Sequence, residues 1–134
     1  MIIDSSVIVA VLKKEDDYEL WTERLFDTSP QLKMSAATYL ETSIVIDAKG
    51  DADASTNLDR FLDRLLVEIV PVTPRQARLG RSAYARFGKG SGHAARLNYG
   101  DCFSYALAMD MDEALAFKGD DFRHTDVKKG FWKS

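Results

Sequence analysis

Short apolar runs alternate with longer segments of helical periodicity along this chain, and that alternation limits its fold more than any other feature. Residues 1–4 read as a buried strand, and Ser6 to Lys14 as a helix with Val7, Ile8, Val11 and Leu12 on its apolar side. Asp16-Asp17 opens a second helix to about Asp27, and Leu32-Lys33-Met34 reads as a second strand. Ser35 caps a helix from Ala36 to about Lys49, closed by Gly50. A fourth helix runs from about Ala52 to Leu66 with Leu58, Phe61, Leu62 and Leu65 inward, and Val67 to Val72 is a third strand. Pro74 starts a helix to Phe87, Gly100 starts another to about Asp110, Ala114 to Phe117 is a fourth strand, and Asp126-Val127 begins a fifth. Strands alternating with helices predict a parallel sheet covered by helices on both faces, an α/β architecture in three layers.

At 134 residues the chain is expected to form one domain, and 46% apolar with 29% charged residues fits a soluble globular protein. The single cysteine, Cys102, lies in an apolar helix and reads as a small buried hydrophobe; no disulfide can form within one chain, which fits a cytoplasmic location. Asp4 arrives before any apolar segment of useful length, against a signal peptide. No run of about 20 apolar residues exists to span a membrane. The net charge of −3 is unevenly spread. From Pro74 to Gly100 there is no acid but there are six bases, Arg75, Arg78, Arg81, Arg86, Lys89 and Arg96. The rest therefore carries 21 acids against 12 bases. Such a stretch is either a basic lane beside an acidic pocket or a solvated helix face.

Four acids sit where an acid is hard to explain. Asp4 ends the first strand, where it serves as a helix cap or as a carboxylate in the sheet's crevice. Glu41 lies on the stripe Ala37, Leu40, Ile44, Val45 and Ala48, so it must be ion-paired, hydrated in a cleft or bound to metal. Asp101 opens a helix whose residues 102, 103, 105, 106, 107 and 109 are apolar or aromatic; the helix dipole favours an acid there by about 0.3–1 kcal/mol. Asp120 and Asp121 follow the fourth strand in Lys118-Gly119-Asp120-Asp121, where either can be a turn former; Asp120 is the preferred site residue, with Asp121 its neighbour or the true ligand.

Carboxylates gathered at strand ends repel unless a cation joins them. Such a set suits Mg²⁺ or Mn²⁺, hard ions that prefer oxygen ligands. His93 and His124 lack Cys or His neighbours at zinc spacing, and no nucleophile-elbow motif exists for a Ser-His-Asp triad. The loop from Gly88 to His93 carries three glycines but follows no strand and matches no phosphate-loop spacing.

The pattern Ile2-Ile3-Asp4-Ser5-Ser6, then Ser35 through Glu41, then Gly100-Asp101-Cys102-Phe103-Ser104-Tyr105-Ala106-Leu107-Ala108, then Lys118-Gly119-Asp120-Asp121-Phe122, resembles the PIN domain, and more narrowly the VapC toxins of bacterial toxin–antitoxin pairs. The resemblance covers nearly the whole chain. It implies an α/β/α sandwich and a Mg²⁺- or Mn²⁺-dependent endoribonuclease that cuts structured RNA and arrests translation. It also implies a homodimer and a VapB-like antitoxin whose C-terminal segment blocks the acidic pocket. By position it implies Asp4 and Asp101 as metal ligands, Glu41 and Asp120 as the remaining catalytic acids, and Ser6 as the hydroxyl that orients Asp4. In-line attack by a metal-bound water would leave a 3′-hydroxyl and a 5′-phosphate. Arg86, Lys89 and Arg96 would hold the RNA backbone, as would Lys128, Lys129 and Lys133 in the tail, with Trp132 stacking a base, unless that tail is a mere chain end.

Two other readings compete. A receiver-like regulatory module also gathers acids around Mg²⁺, but needs an aspartate where Ser35 ends the second strand. A phosphatase with a nucleophilic aspartate wants an acid at residue 6, which is serine. Finally, Trp21, Leu25, Phe26, Phe61 and Leu65 give the second and fourth helices either a partner-binding groove or simply a core-facing side.

Overall fold

The computed structural model describes residues 1–133 and the side chains of residues 1–131. Its strands are β1 (Ile2–Ile3), β2 (Lys33–Ser35), β3 (Glu68–Val70), β4 (Leu115–Lys118) and β5 (Lys129–Lys133). Its helices are α1 (Ser5–Leu12), α2 (Tyr18–Asp27), α3 (Ala36–Ala48), α4 (Ala52–Arg64), α5 (Pro74–Phe87) and α6 (Tyr99–Met111). The strands form one parallel sheet in the order β3-β2-β1-β4-β5. From β1 the chain steps outward through β2 and β3, then returns to the other side of β1 for β4 and β5. The switch point therefore lies between the carboxyl ends of β1 and β4, where open parallel sheets leave a crevice.

Successive strand residues face opposite sides of the sheet. Ile3 and Ala116 join Val7, Val11, Trp21, Leu25, Leu58 and Leu62 beneath α1, α2 and α4. Ile2, Leu115 and Phe117 join Ala83, Phe87, Tyr105 and Leu107 beneath α5 and α6. The expected three-layer parallel architecture is what the chain adopts. No helix among the described residues is long and apolar enough to cross a membrane.

Two expectations need correction, and one open alternative is resolved. The fifth strand starts at Lys129 rather than at Asp126-Val127. A short 3-10 helix, Phe122–His124, lies in between, and Asp126 is engaged elsewhere, accepting from the Tyr105 hydroxyl at 2.7 Å. For Trp21, Leu25 and Leu65 the core-facing alternative is the one adopted; of that group only Phe26 is strongly exposed, and it meets Phe61 edge to face.

The second correction concerns α3. Its inward face is Thr38, Thr42 and Ile46, while Leu40 and Ile44 are 58% and 59% exposed. The threonines can be buried because both hydroxyls are satisfied. Thr42 donates to the Thr38 carbonyl at 2.7 Å, and Thr38 meets Ser104 at 3.3 Å. An apolar-stripe count treats threonine as polar and so rotates the helix the wrong way.

Candidate active site

Asp4 follows β1 directly and is 3% exposed. Its backbone N–H still pairs with the sheet, donating to the Ala116 carbonyl at 3.0 Å, which holds it at the β1/β4 switch point. Its side chain caps α1, with Oδ2 accepting from the Ser6 N–H at 3.1 Å and from Ser6 Oγ at 2.7 Å. Oδ1 accepts from Ser104 Oγ at 2.7 Å. Capping and a site role, alternatives in the sequence, coincide in one carboxylate.

Glu41 is half-buried, between the inward and outward faces of α3, where that helix meets the start of α6. Its carboxylate lies on Gly100: a Cβ at Gly100 would come within 1.8 Å of Oε2 and 2.6 Å of Cδ. Only glycine lets Glu41 approach the first turn of α6. Asp101 sits in that turn, in a reciprocal capping box. It accepts from the Asn98 N–H at 2.9 Å, and Asn98 Oδ1 accepts from the Asp101 N–H at 2.9 Å.

The fourth acid divides in two. Asp120 is exposed and pairs with Arg123 at 3.2 Å. Asp121 interacts with Asp4 and with Asp101 through their charges. Burial, then the Asp120 and Asp4 charges, push the Asp121 carboxyl up, while Arg96 and His124 pull it down. Burial, then the Asp4 charge, likewise pushes Glu41 up. Asp101 is pushed furthest, to about 7, by burial first and then by Asp4, Asp121 and Glu41, against the Asn98 N–H. Four carboxylates from four separate stretches of chain therefore share one field of predominantly negative charge. None of the ion pairs among the described residues involves Asp4, Glu41 or Asp101.

The donor set is all oxygen, with no thiol or imidazole in it, and it fits a hard divalent cation. The carboxylates are not closed into a cage: among the described residues no three His, Cys, Asp or Glu side chains are grouped tightly enough to hold an ion by themselves. An ion that keeps several waters does not need a closed cage.

Of the expected RNA contacts, Arg86 is already engaged. It reaches Asp126 at 3.3 Å and lies 4.5 Å from the centroid of the Phe87 ring. Lys89 is exposed on the turn after α5. Arg96 is exposed between buried Ala95 and Leu97, in the left-handed region at φ 52°, and its charge reaches Asp121. The side chains of Trp132 and Lys133 lie outside the described residues. Sequence reasoning missed Ser104, buried behind Asp4. Its signal was a lone hydroxyl on the apolar side of α6. It also missed Lys118, whose Nζ joins Glu15 at 2.6 Å and Asp17 at 2.9 Å while its N–H donates to Ser6 Oγ at 3.0 Å.

Comparison with known proteins bears on the fold and on the family. The family model described as PIN domain matches residues 1–128. Ribonuclease VapC28 of Mycobacterium tuberculosis is 49% identical over 129 residues, covering 96% of each chain. The crystal structure of VapC20 from the same species, titled a sarcin–ricin loop cleaving toxin, superposes with a TM-score of 0.74 at 16% identity over 96% of this chain and 97% of that one. VapBC2 of Rickettsia felis, solved bound to a DNA fragment from its promoter, gives a TM-score of 0.73 at 17% identity over 96% of both chains.

Proposed function

The chain belongs to the PIN-domain family, and on that premise we propose that it is an endoribonuclease toxin whose acidic crevice hydrolyses RNA phosphodiester bonds with the aid of Mg²⁺ or Mn²⁺. The observation that carries this reading is the shared field of Asp4, Glu41, Asp101 and Asp121 at the sheet's switch point. Relatives that match nearly the whole of this chain, such as VapC28 over 129 residues, are named ribonucleases. The crevice has the charge, the oxygen donors and the position that such chemistry needs.

In this reading Asp4 and Asp101 hold the ion, and Glu41 and Asp121 flank it. Asp121, rather than Asp120, is the fourth acid. A divalent ion there would lower the pKa of a bound water and offset charge building on the phosphate. The protein's own residues set the stage. Ser6 fixes Asp4, the Asn98 cap fixes Asp101, and Gly100 gives Glu41 its place. Arg96, whose charge reaches Asp121, and exposed Lys89 offer cations to the RNA backbone; Arg86 takes a lesser part because Asp126 engages it. Residues 1–134 act as one nuclease domain.

Translation arrest, neutralisation by a VapB-like antitoxin and a homodimer belong to the same reading. A solved toxin–antitoxin complex from Klebsiella pneumoniae has this fold, and exposed Leu40 and Ile44 on α3 give an apolar face for an assembly to cover. The single cysteine fits action in the cytoplasm. The family membership leaves no room for the receiver-like module.

The test is to incubate purified protein with structured RNA and Mg²⁺, with and without EDTA, beside Asp4→Asn and Asp101→Asn. Cleavage that EDTA stops and both variants lose supports the proposal. RNA left intact by wild type under every condition, despite measured metal binding, rejects it.

A further inference from the structure

The Asp4 carboxyl lies in a nearly dry position, so its hydrogen bonds must replace the lost water. Oδ2 receives two, both from Ser6, and Oδ1 receives one, from Ser104. The cap of α1 needs only the Ser6 N–H. The two hydroxyls do something further.

Each serine has one proton, and each proton points at Asp4. Each serine oxygen is in turn fed from behind. The Lys118 N–H donates to Ser6 Oγ at 3.0 Å. Behind Ser104 stands Thr38, with its Oγ1 at 3.3 Å. The Ser104 proton is already taken by the carboxylate, so Thr38 must be the donor. Ser104 and Thr38 are each 1% exposed, so water does not substitute for either.

An ionised carboxylate offers about four acceptor positions. Three of those on Asp4 are filled, and the one left open is on Oδ1. We propose that Ser104, backed by Thr38, is a positioning residue that fixes the Asp4 carboxylate and leaves it a single open acceptor position on Oδ1, through which Asp4 meets a divalent cation. This rests on the cation-dependent reading of the site. Ser6 and Ser104 hold the carboxylate from its two sides, Ser6 from α1 and Ser104 from α6, so rotation about the Asp4 side chain would break a hydrogen bond in either direction.

The experiment measures Mn²⁺ affinity of the full chain by calorimetric titration, together with thermal unfolding of the metal-free protein. Wild type, Ser104→Ala, Thr38→Val and Thr38→Ser are compared. Ser104→Ala is expected to weaken Mn²⁺ binding by about 10-fold or more, as loss of a partner behind a metal ligand typically does. Thr38→Val should weaken it by a smaller factor, and Thr38→Ser, which keeps the donor, should restore the wild-type value. If Ser104→Ala fails to fold, the Thr38 pair carries the test alone. Equal Mn²⁺ affinity in wild type and Ser104→Ala, or in Thr38→Val and Thr38→Ser, with only the unfolding temperature changed, would overturn the role of Ser104 and Thr38 while leaving the nuclease reading intact. Absence of Mn²⁺ binding by wild type would overturn the cation-dependent reading itself.

Discussion

Asp101 shows how one carboxyl links fold to function. Its ordinary value is 3.8, and in the folded chain burial and the Asp4 charge lift it to about 7. Between those values the folded chain keeps a proton that the unfolded chain has lost. Stability of the metal-free protein therefore falls as pH rises from about 4 to about 7, by at most about 4 kcal/mol from this group. Asp101→Asn should remove that slope while keeping the capping bond from the Asn98 N–H. Thermal unfolding in EDTA across pH 5 to 8 checks this: wild type should lose midpoint temperature toward pH 8, and the variant should lose much less. Gly100→Ala separates stability from activity at the neighbouring residue. Alanine favours a helix over glycine by up to about 1 kcal/mol, yet its Cβ would displace the Glu41 carboxylate. The expected outcome is an unchanged or higher unfolding midpoint with RNA cleavage lowered by about tenfold or more. Cleavage at the wild-type rate would mean that Glu41 does not need that approach.

Among the elements, α6 carries most of the site, because its first turn supplies Asp101 and its second supplies Ser104. Asn98→Ala removes the side-chain half of the capping box and should cost about 1 kcal/mol in urea denaturation. A loss well below 0.5 kcal/mol would show that the Asp101 half of the box holds the turn by itself. The sequence made much of this scale readable. Asp4 and Ser35 mark the starts of α1 and α3 through their capping chemistry, Pro74 marks that of α5 as proline in the first turn, and the buried apolar runs locate β1, β2 and β4. The orientation of α3 was not readable, since buried threonines that bond to each other and to Ser104 look polar in a linear string. Nor was the choice between Asp120 and Asp121, which depends on how the turn after β4 places two adjacent carboxylates. The 3-10 helix at Phe122–His124 was equally hidden, because three residues carry no periodicity.

At the scale of the whole molecule, strand order turns four distant acids into neighbours: the return of β4 to the side of β1 brings Lys118-Gly119-Asp120-Asp121 back to Asp4. The outward face of α3 bears on assembly. If two copies associate through Leu40 and Ile44, the pair Leu40→Glu and Ile44→Glu should shift the mass measured by light scattering from dimer to monomer without lowering the unfolding midpoint. A dimer retained in that double variant would place the interface elsewhere. The claim on which all else depends is that Asp4, Glu41, Asp101 and Asp121 act as one site, and initial rates of RNA cleavage in Mg²⁺ test it most directly. Asp4→Asn, Glu41→Gln, Asp101→Asn and Asp121→Asn should each lower the rate by more than about 100-fold, while Asp120→Asn stays within about twofold of wild type. Rates near wild type for two or more of the four, or a loss with Asp120→Asn as deep as with Asp121→Asn, would contradict it.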